Sequence, residues 1–97
     1  MTSLVIVGRR WFDRVNGNTY HSSEMVIDGE CVGKVPMTYG YGDQYIDSAF
    51  DYLEKKNLIP LRERYSTGSK EQPYQWVERT GIKVFSTASE VRSKKDL

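Results

Sequence analysis

Cysteine is almost absent: Cys31 stands alone among 97 residues. That excludes an internal disulfide and any multi-cysteine zinc site. Histidine is equally scarce. His21 is the only one, and one imidazole among scattered Asp and Glu has no spacing that fixes a coordination sphere, so neither a metal nor a cofactor is expected. Neither sign of charge prevails, with 14 basic against 13 acidic residues. No global field therefore argues for nucleic acid or a membrane, and any charge argument must be local. Long apolar runs are missing as well. The N-terminal "LVIV" is followed directly by Arg9 and Arg10, which is too short for a signal peptide or a membrane span. The ending "KKDL" has the wrong order for a retention signal and carries no weight. A single thiol suits a reducing compartment, so a cytoplasmic setting is the expectation.

What remains is one small domain in length, rich in tyrosine (7 of them), with two Trp and three Phe. Tyrosine offers contact area with a polar tip, which serves either a small core or a binding surface. The β-branched and aromatic residues of "SLVIVGRRWFD" predict a strand at about 3–13. "VNGN" holds residues that tolerate positive φ, the strongest short-range hairpin signal. A return strand follows at about 19–27, a tight turn at Asp28-Gly29, and a third strand at about 30–35 that Pro36 is expected to close. The first third thus reads as a three-stranded antiparallel meander.

Asp43 is placed to cap a helix over about 44–57, with Ile46, Ala49, Phe50 and Leu53 forming one apolar stripe. "LIPLRERYSTGSKEQ" reads as a polar, mobile connection. Proline at the start and glycine past the end predict a short helix at about 73–80. A fourth strand is expected at about 82–86. Thr87-x-x-Glu90 has the form of a capping box and predicts a short C-terminal helix. The expected fold is α+β in a single domain, 1–97.

Candidate function concentrates in "RRWFDRVNGNTYHSSE", where the hairpin register decides which side chains share a face. A two-residue loop, Asn16-Gly17, sets Phe12 opposite His21 and Arg9 opposite Glu24. A three-residue loop, Asn16 to Asn18, sets Asp13 opposite His21 and Arg10 opposite Glu24, and gathers Trp11 with Val5, Val7, Met25 and Ile27. The second gives the better apolar face. It also places a carboxylate beside the imidazole, the geometry of a general base, so Asp13 and His21 are the catalytic candidates. Ser22 lies on the opposite face from His21 and is out of its reach. Cys31, on a strand beside Val32, reads as a small buried hydrophobe.

Arg9, Arg10 and Arg14 could meet phosphates while Trp11, Phe12 and Tyr20 stack on bases, and Arg92, Lys94 and Lys95 add a basic tail. In "YGYGD", Tyr39 to Asp43, alternate glycines followed by a helix start give the ingredients of an anion site, although Asp43 competes for the same amides. The candidate binding residues are therefore Arg9, Arg10, Trp11, Arg14, Tyr20, His21, Tyr39 and Tyr41.

On "RWFDRVNGNTYHS", "YGYGDQYI" and the ending "SEVRSKKDL", in that order and over essentially the whole length, the chain resembles a set of small uncharacterised proteins carried by bacteriophages and other mobile elements. The resemblance implies a setting inside a host cell and action by binding, to a host or defence protein or to a nucleic acid or nucleotide. It assigns no role to any residue. The first expectation is accordingly a non-catalytic binder of a protein partner through the aromatic and arginine-rich hairpin. The alternative is a nucleic-acid or nucleotide binder using the hairpin and the "YGYGD" loop. The second alternative is a small enzyme with an Asp13–His21 acid/base pair. Unpaired sheet edges leave room for a homodimer.

Overall fold

The computed structural model describes residues 2–97. Three antiparallel strands, β1 (Ser3–Asp13), β2 (Asn18–Ile27) and β3 (Glu30–Tyr39), form the expected meander. Helix α1 (Gln44–Lys55) follows, then a long segment, helix α2 (Pro73–Thr80), strand β4 (Lys83–Val91) and a single 3-10 turn at Lys94–Asp96. The sheet order is β3-β2-β1-β4, and β4 runs parallel to β1. The fold is α+β, with both helices on one face of the sheet.

The hairpin register is neither of the two expected. Asp13 lies opposite Asn18, which leaves the four residues Arg14 to Gly17 as the loop. Asp13 Oδ1 accepts from the amides of Val15 and Asn16, and Oδ2 from the Asn16 side chain at 2.8 Å. These bonds, the Asn16 side chain first, hold the Asp13 carboxyl below its ordinary pKa. Gly17, at φ 70, returns its N–H to the Asp13 carbonyl at 2.8 Å. The carboxylate therefore organises its own turn, which is what moves the register.

This register pairs odd residues of β1 with even residues of β2. Leu4 and Ile6 join Met25 beneath the helices, fully buried with Ala49, Phe50, Leu53 and Trp76. Val5, Val7 and Trp11 turn to the other side, apart from Met25 and Ile27, so the apolar face expected from the three-residue loop does not exist. Helix α1 lies close enough to put the Tyr45 ring where a Gly8 side chain would stand, so that a Cβ there would collide with the ring. Gly8→Ala is expected to cost about 1–3 kcal/mol through overpacking. Gly33→Ala should be milder, because its Cβ would meet the mobile hydroxyl end of Tyr52. Denaturant midpoints of the two variants test the ordering, and equal midpoints would contradict it.

Three element boundaries and the exposure of Cys31 differ from expectation. Strand β3 runs through Pro36 because it is an edge strand, where a missing N–H costs no ladder bond. Its bulge near Val26 turns Cys31 outward, so the thiol is exposed rather than buried. Helix α1 stops at Lys55, two residues early, with Asn57 in the left-handed region. The predicted C-terminal helix is instead strand: β4 continues to Val91, because pairing with β1 extends to Trp11.

The segment between the helices is anchored rather than mobile. Asp47, Asp51 and Glu54 stand at i, i+4 and i+7 on α1, and all three bind the Arg62 guanidinium at 2.7–2.8 Å. The Arg62 side chain is only 2% exposed. Burial works against its charge, but hydrogen bonds to Asp47 and Glu54 more than offset that and raise its pKa. Further along, Arg79 on α2 holds Glu71 at 2.8 Å and the Leu61 carbonyl at 2.8 Å. Helix α2 has proline at its first position and Gly81 just past its end, as its sequence predicts, and the Gln72 N–H donates to Gln75 Oε1 at 3.0 Å.

Candidate binding surface

The sheet divides the candidate residues between two faces. On the helix face, His21 is 1% exposed and sits opposite Arg10. Its Nδ1 lies 3.2 Å from the Gly40 carbonyl and its Nε2 lies 2.8 Å from Ser48 Oγ. A carbonyl only accepts, so Nδ1 donates to Gly40, and Nε2 pairs with the Ser48 hydroxyl. Asp13, held in the turn, takes no part, and the Asp13–His21 pair is thereby removed as an acid/base unit.

Gly40 is required here twice over. Its φ is 149, and a Cβ would come within 3.0 Å of the His21 ring and of Gln44. The result ties α1 to the middle of the sheet, with imidazole as a buried connector. Ser48 had no local signal in the sequence, since it lies 27 residues from His21 and meets it only because α1 crosses β2.

Arg10 is on the same face. It donates to the Gly42 carbonyl at 3.0 Å, and its Nε lies 3.4 Å from Glu90 on β4. The "YGYGD" loop thus turns two carbonyls, those of Gly40 and Gly42, toward donors. One of its amides is also engaged, the Gly40 N–H donating to the Thr19 carbonyl. Carbonyls turned toward donors have the opposite polarity from an anion cradle. Asp43 occupies the N-cap position of α1 without a side-chain cap bond. Tyr41 is exposed on the rim of a cleft of about 780 Å³ that reaches from this loop to Lys70 and Gln72.

Among the described residues neither α1 nor α2 packs on the other face, which Leu97 reaches beside Arg9, Ser22 and Lys34. Trp11 and Tyr20 are direct cross-strand partners whose rings stack at 5.8 Å with 24° between planes. Tyr39 faces Tyr20 across the next pair and meets it edge-on, at 5.8 Å and 80°. Three aromatic rings therefore form a continuous row across β1, β2 and β3. Comparison with family models, characterised proteins and solved structures finds no significant match for this chain. The surface must be read from its own chemistry.

Beside the row stand Val5, Val7 and Arg9 from β1, Lys34 from β3 and Phe85 from β4. Among the described residues no ion pair engages Arg9, whereas Arg10 is committed to Glu90 and Gly42. Neither arginine faces Glu24, which lies opposite Val7. Arg9, Ser22, Lys34 and Leu97 line a small hollow of about 260 Å³. Arg14 is exposed at the hairpin tip.

Of the eight candidate binding residues, the structure brings Arg9, Trp11, Tyr20 and Tyr39 together. Arg10 and His21 belong to the interior face, while Tyr41 and Arg14 stand elsewhere. Phe85 was missed, although its alternation with Lys83 in "IKVFS" was a usable sign that it faces away from the helices. Among the described residues no group of three or more His, Cys, Asp or Glu could hold a metal ion, and no helix is long and apolar enough to cross a membrane.

Proposed function

We propose that the protein is a non-catalytic binding module that engages a protein partner through the helix-free face of its sheet. The observation that carries this reading is the Trp11–Tyr20–Tyr39 row, flanked by Arg9, which makes no ion pair among the described residues, on the face opposite α1 and α2. Trp, Tyr and Arg supply most interface hot spots, because they combine large rigid area with a polar end. Tyr39 is exposed beside the half-buried Trp11 and Tyr20, and exposed apolar area of this kind marks interaction sites. The resemblance to mobile-element proteins makes a host or defence protein, in the host cytoplasm, the partner class.

A nucleic-acid platform presents free ring faces to bases. Here Trp11 and Tyr20 turn their faces to one another, which favours a protein surface over a strand of bases. The test uses affinity capture with wild type, followed by binding measurements on the purified partner. Tyr39→Ala and Arg9→Glu are each expected to weaken binding roughly 30-fold, about 2 kcal/mol, as for interface hot spots. Unchanged affinity in both variants would overturn the proposal. So would oligonucleotide binding that falls steeply with salt and is lost in the same variants.

A further inference from the structure

The two edges of the sheet are built differently. The β3 edge is blunted: Pro36 interrupts its donors, and the β2–β3 register shifts twice. Both devices discourage strand addition. Strand β4 has neither. Its nine residues, "KVFSTASEV", contain no proline, and its register with β1 runs unbroken from Lys83 to Val91. Among the described residues nothing pairs with its outer edge. Residues 85–90 are all exposed, with Phe85 at 55%. Of the two charges on the strand, Glu90 lies 3.4 Å from Arg10 Nε and keeps most of its side chain exposed.

We propose that this edge pairs with the same edge of a second copy, joining two sheets into one of eight strands. The Lys83 N–H donates to the Thr2 carbonyl at 3.0 Å, on the β1 side. Alternation then directs the N–H and C=O groups of Val84, Ser86, Ala88 and Glu90 to the open edge. Two antiparallel copies are related by a two-fold axis perpendicular to the sheet, which keeps the helices of both on one side. Paired residues must therefore share a face, so the axis passes through a residue rather than between two.

Centring on Ala88 sets Phe85 against Val91 and Thr87 against Ser89 on the helix-free face, and Ser86 against Glu90 on the other. Apolar meets apolar and polar meets polar at each of these pairs, and Val84 falls against Arg92, one residue past the strand. Phe85 and Val91 also fall at non-hydrogen-bonded positions, where side chains come closest. Centring on Thr87 puts Phe85 against Ser89 and Val84 against Glu90. Centring on Ser86 puts Phe85 against Thr87, and centring on Ser89 puts Thr87 against Val91 and Ala88 against Glu90. Within β4 the residues match best about Ala88.

Sedimentation equilibrium of the whole chain reads the proposal. Wild type is expected as a concentration-dependent dimer. Ala88→Pro removes a donor aimed at the open edge while leaving the β1 ladder intact, so it should give a folded monomer with unchanged circular dichroism. In a Cys31→Ser background, oxidised Ala88→Cys should form a covalent dimer, since facing residues about 5.5 Å apart fall within disulfide range. Ser86→Cys and Thr87→Cys should cross-link poorly. A wild type that stays monomeric at every concentration overturns the proposal. A dimer that survives Ala88→Pro, or cross-links at 86 or 87 in preference to 88, overturns it equally.

Discussion

Replacing Arg62 with leucine is expected to lower stability by about 3–5 kcal/mol, the usual cost of breaking a buried ion pair from one side. For a chain of this size that is a fall in Tm on the order of 20 °C. The guanidinium satisfies Asp47, Asp51 and Glu54 at once and lies over the Phe50 ring at 5.1 Å. Removing it leaves three carboxylates on one helix face, of which Glu54 is buried.

Arg62→Lys should rescue little, because an ammonium cannot reproduce a planar fork reaching several carboxylates. Glu54→Gln in the Arg62→Leu background should recover part of the loss by removing the uncompensated buried charge. Thermal melts check this, and an Arg62→Leu melt equal to wild type would refute the role.

Trp76→Ala is expected to cost about 3–5 kcal/mol, comparable with much of the total stability of a small domain. The side chain is fully buried, packs edge-to-face on Phe50 at 5.1 Å and 88°, and donates its indole N–H to the Pro60 carbonyl at 2.9 Å. It thus joins α2, α1 and the intervening segment at one point. Trp76→Phe keeps most of the apolar area and strands the Pro60 carbonyl, so a smaller loss of about 1–3 kcal/mol is expected. Urea titration measures both. Limited trypsin digestion should cut first after Arg62, Arg64 or Lys70 in Trp76→Ala, and cleavage elsewhere in preference would contradict the anchoring role.

The elements were legible where local chemistry decides them. The meander, both α-helices and the Pro73 and Gly81 boundaries follow from alternation, turn residues and caps. The hairpin register was not legible, for a physical reason. Val5, Val7 and Trp11 are as apolar as Leu4 and Ile6, so alternation alone does not say which face meets the helices. The extra loop residues depend on how Asp13 folds back on its own turn. Thr87 to Glu90 satisfies a helix-capping pattern, yet pairing with a strand 80 residues earlier overrides it.

The anchored segment did leave a trace. Asp47, Asp51 and Glu54 form an acidic stripe that requires a cation, and Arg62 supplies it. The candidate surface was half visible: the residue types were right, and the division between faces waited on the register. His21 shows the cost of that gap most clearly, since its partners Gly40 and Ser48 come from elements outside the hairpin.

The order β3-β2-β1-β4 has a consequence for the growing chain. During synthesis the meander can close once residue 39 has emerged, because each of its strands pairs with the next. β1 then has one edge paired and one edge waiting until residues 83–91 appear. Throughout that interval a folded hairpin presents a bare parallel edge, and Leu4 and Ile6 wait for α1. A neighbouring nascent chain that has already released its own β4 offers the same sequence to that edge. Exchange of β4 between chains is the characteristic error this topology invites.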